Sequence, residues 1–361
     1  MTKTASKMES RTAPNMPRTA RTAPPGDVPQ TPRMNWDQFS FDYRLELDSP
    51  SLFRYFINIE AYKEASLNLV LPPEWRMQLD RLNRARQIYG TTALEGSPLS
   101  ETEVLRQLDL FDNEKPLPAT VKIHAQTRNA SVAQEWVRSR FVPGSPPVRC
   151  EDLLEMHRLL TEKSDMEHNI PGRWRTFSVT VGSPELGGVH RGAPHERLPG
   201  LMGEYIGFLA SRRLQQVHPV VKALLAHFFL VTIHPFGDGN GRVSRLLEAG
   251  ILFQEAYNVH GFYGLSNYFY QHEHRYKTVL QECRRTIPFE VTPFVQFGIE
   301  GFATELKEIN NFIKTKLNRV VYRTMLTGNS GSVVGKHGPS GARAAVISPV
   351  SAGGGLVIGS L

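Results

Sequence analysis

Cysteine is nearly absent from this 361-residue chain, which has only Cys150 and Cys283 and no CxxC pair. That scarcity leaves a disulfide framework and a cysteine-ligated zinc site without support and makes a reducing, cytoplasmic setting the expectation. Long apolar runs are missing too. Val220 to Ile233 (VVKALLAHFFLVTI) is too short to cross a bilayer and is interrupted by Lys222 and His227, so no membrane partner is expected. Nor does the body carry charge of one sign. The formal net charge is +7, but residues 1–35 hold six Lys and Arg against Glu9 and Asp27, and the tail after 327 adds Lys336 and Arg343. The basic excess therefore sits at the two ends, and no specific nucleic-acid groove is expected. Residues 1–35 have few large apolar groups and no h-region, and read as a disordered basic tail rather than a secretion signal. Residues 321–361 read as a second unstructured tail, rich in Gly, Ser, Val and Ala from 328 on.

What is present is concentrated in one short segment, His234-Pro235-Phe236-Gly237-Asp238-Gly239-Asn240-Gly241-Arg242, followed by Arg245. The apolar stretch before it reads as a buried helix that Pro235 ends, because the residue before a proline is pushed out of the helical region. Gly239 and Gly241 let the backbone turn sharply and approach a ligand. Val243 to Phe253 resumes a helical pattern, so Asn240, Gly241 and Arg242 stand at a helix start, where free N–H groups favour an anion. Arg242 and Arg245 lie three apart and carry planar forks suited to phosphate oxygens. Asp238 offers the hard oxygen that Mg²⁺ accepts beside substrate phosphates, and His234 can take a proton from a hydroxyl near neutral pH. These are the parts that a phosphoryl or nucleotidyl transfer needs.

Two further segments carry signals. Trp75, Leu79, Leu82 and Ala85 have helical spacing behind Pro72-Pro73, and Gly96 followed by Pro98 stops that helix, placing Glu95 in its last turn. Phe177 to Gly182 alternates apolar and polar residues as a short strand, with turn residues following to Gly192. Elsewhere the reading is helical. Ser100-Glu101-Thr102-Glu103 is a capping box, and helices are expected over 121–137, 151–161, 196–212, 220–233, 242–256, 266–285 and 291–317. His157, in the 151–161 helix, reads as a packed histidine rather than a catalyst.

The segment His234 to Arg245 resembles the signature of the Fic family, HPFx(D/E)GNGRxxR, at every defined position. The resemblance implies a mainly α fold, a Fic-type helical bundle with a short β-hairpin flap over the active site, spanning roughly 40–320. It implies an N-terminal helical region over 36–118 and a catalytic domain over 119–320. Fic enzymes transfer AMP from ATP to a Ser, Thr or Tyr hydroxyl of a protein. On that pattern His234 is the general base, Asp238 the Mg²⁺ ligand, and Gly239, Asn240, Gly241 and Arg242 the phosphate cradle, with Arg245 on the γ-phosphate. Thr91-Thr92-Ala93-Leu94-Glu95-Gly96 resembles the family's inhibitory motif (S/T)xxxE(G/N), which makes Thr91 and Glu95 regulatory, Glu95 pairing with Arg245. Val179, Thr180, Val181 and Gly182 match the flap that holds the target by strand addition. Gly192-Ala193-Pro194 departs from the paired prolines usual there. Tyr263, Leu265, Ser266, Tyr268 and above all Tyr276 resemble the adenine side, Lys277 replacing a usual second tyrosine.

The expected function is thus an autoinhibited protein adenylyltransferase with ATP as co-substrate, Mg²⁺ as cofactor and a target protein as partner. A different nucleotide donor, removal of AMP by the same site, and a non-catalytic target-binding regulator stay open alternatives, as does a homodimer.

Overall fold

Helices account for nearly all of the regular structure, and one of them is buried from end to end. The computed structural model describes residues 34–67, 71–112, 121–162, 169–257 and 264–328. A two-residue strand β1 (Tyr43–Arg44) precedes α1 (Pro50–Leu67), α2 (Pro73–Ala93), α3 (Glu101–Asp112), α4 (Val121–Arg140) and α5 (Cys150–Thr161). A hairpin follows, β2 (Thr180–Ser183) and β3 (Gly188–Arg191), antiparallel with Val181 opposite His190. Then come α6 (Leu198–Leu209), the single turn α7 (Arg212–Gln215), α8 (Pro219–Ile233), α9 (Asn240–Gln254), α10 (Ser266–Gln271), α11 (Glu273–Cys283), strand β4 (Phe289–Glu290) and α12 (Thr292–Gly328). The mainly α architecture with one flap hairpin is the expected one.

α8 is the axis of the core. Every residue from Val220 to Ile233 is buried, because its apolar side chains leave no polar face to turn to water. α9 packs along it, and α4 and α5 cover α9 from the other side. Phe228 and Phe229 of α8 meet Phe289 at ring separations of 5.4 and 5.8 Å, and Phe228 meets Phe294 at 6.1 Å, so aromatic rings seal the far side. α2 crosses α10 with no side chain between. A β-carbon on Gly90 would lie 2.5 Å from the backbone of Ser266 and Asn267, so only glycine fits there.

Several boundaries differ from the sequence reading. α1 was not anticipated: Leu52 and Ile59 are buried while Phe53 and Ile57 face outward, so its apolar residues run round the helix and make no clean stripe. The pairing of β1 with β4 in parallel was not anticipated either, since two-residue strands carry no period. The helix expected over 266–285 breaks at His272, whose φ and ψ of −119° and 37° are not helical. The segment 196–212 begins as a 3₁₀ turn, His195–Arg197, and is regular only from Leu198. Residues 321–328, read as the start of a tail, continue α12, because neither proline nor glycine intervenes before Gly328. One compact unit ends at Asn310, and Asn311 begins a second. The tails 1–33 and 329–361 and the tyrosine at 263 lie outside the described residues. Among the described residues no helix is long and apolar enough to cross a membrane.

Candidate active site

The site is built where α8 hands the chain to α9. His234 caps α8 in the left-handed conformation, φ 55°, its N–H donating to Leu230 O at 2.9 Å. A non-glycine residue there is strained and persists only when its surroundings hold it. Pro235 supplies one constraint from the sequence. Arg175 supplies another from across the fold. Its Nε donates to His234 O at 2.8 Å, its two Nη atoms bond Phe177 O and Ala193 O, and its own N–H donates to Pro235 O at 3.0 Å. Arg175 is buried, and desolvation pulls its guanidinium down to about 10. It therefore ties the base of the flap hairpin to the candidate catalytic histidine.

The loop after Pro235 is braced from within. Asn240 accepts from Phe236 N and donates to Phe236 O, both at 2.9 Å, so its side chain closes the turn and is not free for a ligand. Its backbone N–H, at the start of α9, remains where the phosphate cradle was expected. Gly239 takes φ 78° as the N-cap. Beneath the loop, the His157 ring stacks on Phe236 at 3.9 Å, its Nδ1 accepts from Gly172 N at 3.0 Å, and its Nε2 lies 3.1 Å from Asp238 O. Since Nδ1 accepts, Nε2 carries the proton. Burial pushes this histidine down to about 4, so it stays neutral. His157 is thus the packed histidine expected, with the added duty of supporting the loop.

The charged residues of the segment are paired. Asp238 meets Arg242, four residues on, through Oδ2 and Nη2. Arg245 is buried and donates from Nε to Thr91 Oγ1 at 2.8 Å and from Nη2 to Glu95 Oε1 at 2.8 Å. Glu95 lies in the turn just past Ala93, the last residue of α2, rather than in the helix itself. Gly96, at φ 84°, ends the helix as its position implied. A β-carbon on Gly241 would sit 2.9 Å from Glu95 Oε1 and 3.0 Å from Arg245 Nη1, so the glycine is what lets this pair close over the start of α9.

A cavity of about 360 Å³ opens beside the loop, and His234, Gly241, Arg245, Glu95 and Tyr276 line it together with Val181 and Gly182 of the flap. Asp238, Asn240 and Arg242 lie outside its lining, as do Val179 and Thr180. The Val179 side chain packs instead at Gly192, where a β-carbon would also meet Arg175 and His234. That crowding explains why Gly192 occupies a position where a bulkier residue was expected. His234 Nδ1 sits 3.3 Å from Val231 O, which leaves Nε2 with the lone pair, and burial pushes the ring down to about 4. A neutral imidazole of this kind can accept a proton. Tyr276 turns its hydroxyl inward, 2.9 Å from His227 Nε2, while His227 Nδ1 meets Glu248 Oε2 at 2.8 Å. Tyr276 therefore lines the cavity with its ring and commits its hydroxyl to the core. Burial holds His227 neutral and pushes Glu248 up to about 8.

Mg²⁺ can be tested against the donors present. Among the described residues no group of three or more His, Cys, Asp or Glu converges, so a dedicated cage is not built. Asp238 is part-exposed with one oxygen engaged by Arg242, which fits the type of site where one carboxylate shares the ion with water and substrate phosphates.

Residues 147–252, which run from the start of α5 through the flap and the loop to α9, match the model of the Fic/DOC family. They form a Fic domain. A protein adenylyltransferase Fic from Culex quinquefasciatus is 29% identical over 214 residues, 59% of this chain and 39% of that protein. One from Nematostella vectensis is 29% identical over 215 residues, 59% of this chain and 45% of that protein. The chain thus spans less than half the length of these relatives. Among solved structures, a Fic family protein from Desulfovibrio desulfuricans G20 has a TM-score of 0.59 at 24% identity, covering 75% of this chain and 77% of that one. Fic-1 from C. elegans has a TM-score of 0.60 at 20% identity, covering 73% of each. These structural likenesses concern the fold.

Three residues in and around the matched segment were missed by sequence reasoning. Arg175, just before the alternating stretch, carried no expectation of its own. Gln281 of α11 donates to Gly188 O at 3.2 Å and Val181 O at 3.4 Å, pinning both flap strands, and Gly182 at φ 95° passes so close that a β-carbon there would strike its amide. Arg284 lines the cavity from the end of the same helix. None belongs to a local motif, so no spacing could have marked it.

Proposed function

We propose that this chain is a protein adenylyltransferase held inactive by Glu95. The observation that carries the reading is the convergence of His234, Gly241 and Arg245 on one cavity, with Glu95 closed onto Arg245. The names of the relatives, protein adenylyltransferases, support the same reaction. In it the oxygen of a target hydroxyl attacks the α-phosphorus of ATP. His234 Nε2 takes the hydroxyl proton, the bond from the α-phosphorus to the bridging oxygen breaks, and pyrophosphate leaves. Mg²⁺, held by Asp238 and the donor's phosphates, would neutralise charge on those phosphates. Arg245 would fix the terminal phosphate and so hold the α-phosphorus in line, which is the kind of positioning that dominates such transfers. With Glu95 on its guanidinium that hold is lost.

β2 pairs through its backbone with β3 on one side only, and Thr180 on it is exposed. A target segment would add to β2 as a further strand and present its hydroxyl to His234 through main-chain bonds.

The test is self-modification of the Glu95→Gly protein with Mg²⁺ and α-labelled ATP, read by intact mass, with UTP and GTP as competitors. Gain of AMP that vanishes in Glu95→Gly/His234→Ala supports the reading. Labelling suppressed more strongly by UTP or GTP than by an equal concentration of unlabelled ATP would replace the donor. ATP binding without transfer to self or to any lysate protein would point to a binding role.

A further inference from the structure

The cavity holds a cation that the proposed roles leave without work. Arg284, at the C-cap of α11, is only 4% exposed and lines the cavity beside the end of α8. Its Nε donates to Thr232 Oγ1 at 3.1 Å and its Nη1 to Gln281 Oε1 at 3.2 Å, both neutral acceptors. Of the other cations in this region, Arg245 is matched by Glu95, Arg242 by Asp238 and Lys277 by Glu273, while Arg175 spends its guanidinium on the carbonyls of His234, Phe177 and Ala193. No ion pair joins Arg284 to a carboxylate among the described residues. A buried guanidinium without a counter-charge is costly, and burial pulls it down to about 10. Two hydrogen bonds also leave N–H donors over from the five that a guanidinium carries.

We infer that Arg284 is a phosphate-binding residue of the donor site, one that grips the nucleotide whether or not Glu95 holds Arg245. The inference rests on reading this cavity as the donor site. A phosphate would supply the missing charge and accept the spare donors, and a guanidinium fork suits its oxygens. The neighbours of Arg284 make it a fixed anchor. Thr232 belongs to α8, and its carbonyl also lies 2.7 Å from His190 Nε2 of β3, while Gln281 holds both flap strands. Its guanidinium is thereby locked to α8 and the flap, not to α2, so movement of Glu95 need not disturb it. Nucleotide would then bind to the closed protein at one guanidinium and engage the second only after Glu95 leaves.

Calorimetry on the full chain with Mg²⁺ tests this, using ADP, adenosine and pyrophosphate as probes, in the wild-type and Glu95→Gly backgrounds. Arg284→Gln is expected to weaken ADP and pyrophosphate about 10- to 100-fold in both backgrounds, as loss of a charged hydrogen-bond donor implies, and to leave adenosine unchanged. Arg284→Lys, which keeps the charge, is expected to recover part of the loss. Equal weakening of adenosine would make Arg284 merely structural, and undiminished ADP and pyrophosphate binding would overturn the inference. So would wild-type protein that binds no pyrophosphate. If pyrophosphate binds through Arg284 while neither ADP nor ATP does, the adenylyl-donor reading and the nucleotide part of the inference fail, and only the phosphate-binding role of Arg284 stands.

Discussion

Arg245 of α9 and Glu95 past the end of α2 meet at 2.8 Å although 150 residues separate them in the chain. The contact is supported on both sides: Thr91 accepts from Arg245 Nε, and Gly241 leaves room for the Glu95 carboxylate. Because the guanidinium is buried, its engagement with Glu95 competes directly with engagement of a phosphate. This exchange underlies the first expectations.

Glu95→Gly should raise AMP transfer by at least about tenfold, the worth of one charge-assisted hydrogen bond. The same change leaves Arg245 buried with the neutral Thr91 and Tyr276 as its remaining partners, so the free protein should melt at lower temperature and regain stability when ATP is added. A thermal-shift series with and without ATP and a labelling time course check both parts. Equal rates for the two proteins would remove Glu95 from regulation.

Gly90→Val should imitate that activation by another route. The new side chain would press on the Ser266–Asn267 backbone at a point already within 2.5 Å of a β-carbon, and α2 would have to lift. Transfer should rise as in Glu95→Gly, with an additional fall in melting temperature of the order expected from about 1–3 kcal/mol of overpacking. A fall in stability with transfer still suppressed would mean that α2 and Glu95 are not coupled.

Arg175→Leu should slow transfer and destabilise the fold by about 3 kcal/mol, because one buried and two part-buried carbonyls lose their donor and the left-handed His234 loses a brace. Denaturant unfolding measures the second effect. ADP affinity, which draws on Arg284, should change less than the transfer rate.

Acid should act on stability and rate differently from an ordinary histidine protein. His157 and His234 are both pushed down to about 4, and burial lowers His190 and His227 as well. A histidine lowered in the folded state is neutral there while the unfolded chain takes a proton near ~6.5, so the unfolded state binds more protons between the two values. Stability therefore falls as pH drops from about 6.5 toward 4, by on the order of 3 kcal/mol for each of His157 and His234. The transfer rate of Glu95→Gly, if His234 is the base, should hold level through pH 6 and decline only toward its lowered value, provided the protein stays folded. His234→Ala should remove about 10²–10⁴ of the rate at every pH while ADP still binds. An acid limb centred near 6.5 in the pH–rate profile would contradict the assignment.

Much of this protein was legible one segment at a time. The apolar run of α8, the stop at Pro235, the glycine turn and the restart at Asn240 follow from backbone preferences that act over a few residues, and together they place His234, Gly241 and Arg245. The stop at Gly96 and the alternation near the flap are local in the same way, though strand β2 begins at Thr180, later than the alternation at Phe177 indicated. What the tertiary structure decided are pairings between distant segments. Gly90 reads as an unremarkable helix glycine until α10 lies against it, and the packing of α2 on α9 and α10 brings Glu95 to Arg245. Arg175, Gln281 and Arg284 have no spacing to mark them, because their partners are carbonyls and neutral side chains from other elements. Asn240 has a recognisable place in the loop, yet its amide closes the turn and faces no ligand. Local preferences fix where a chain turns; which charges end up matched by carboxylates, and which by neutral groups, is settled when distant elements pack and water is excluded.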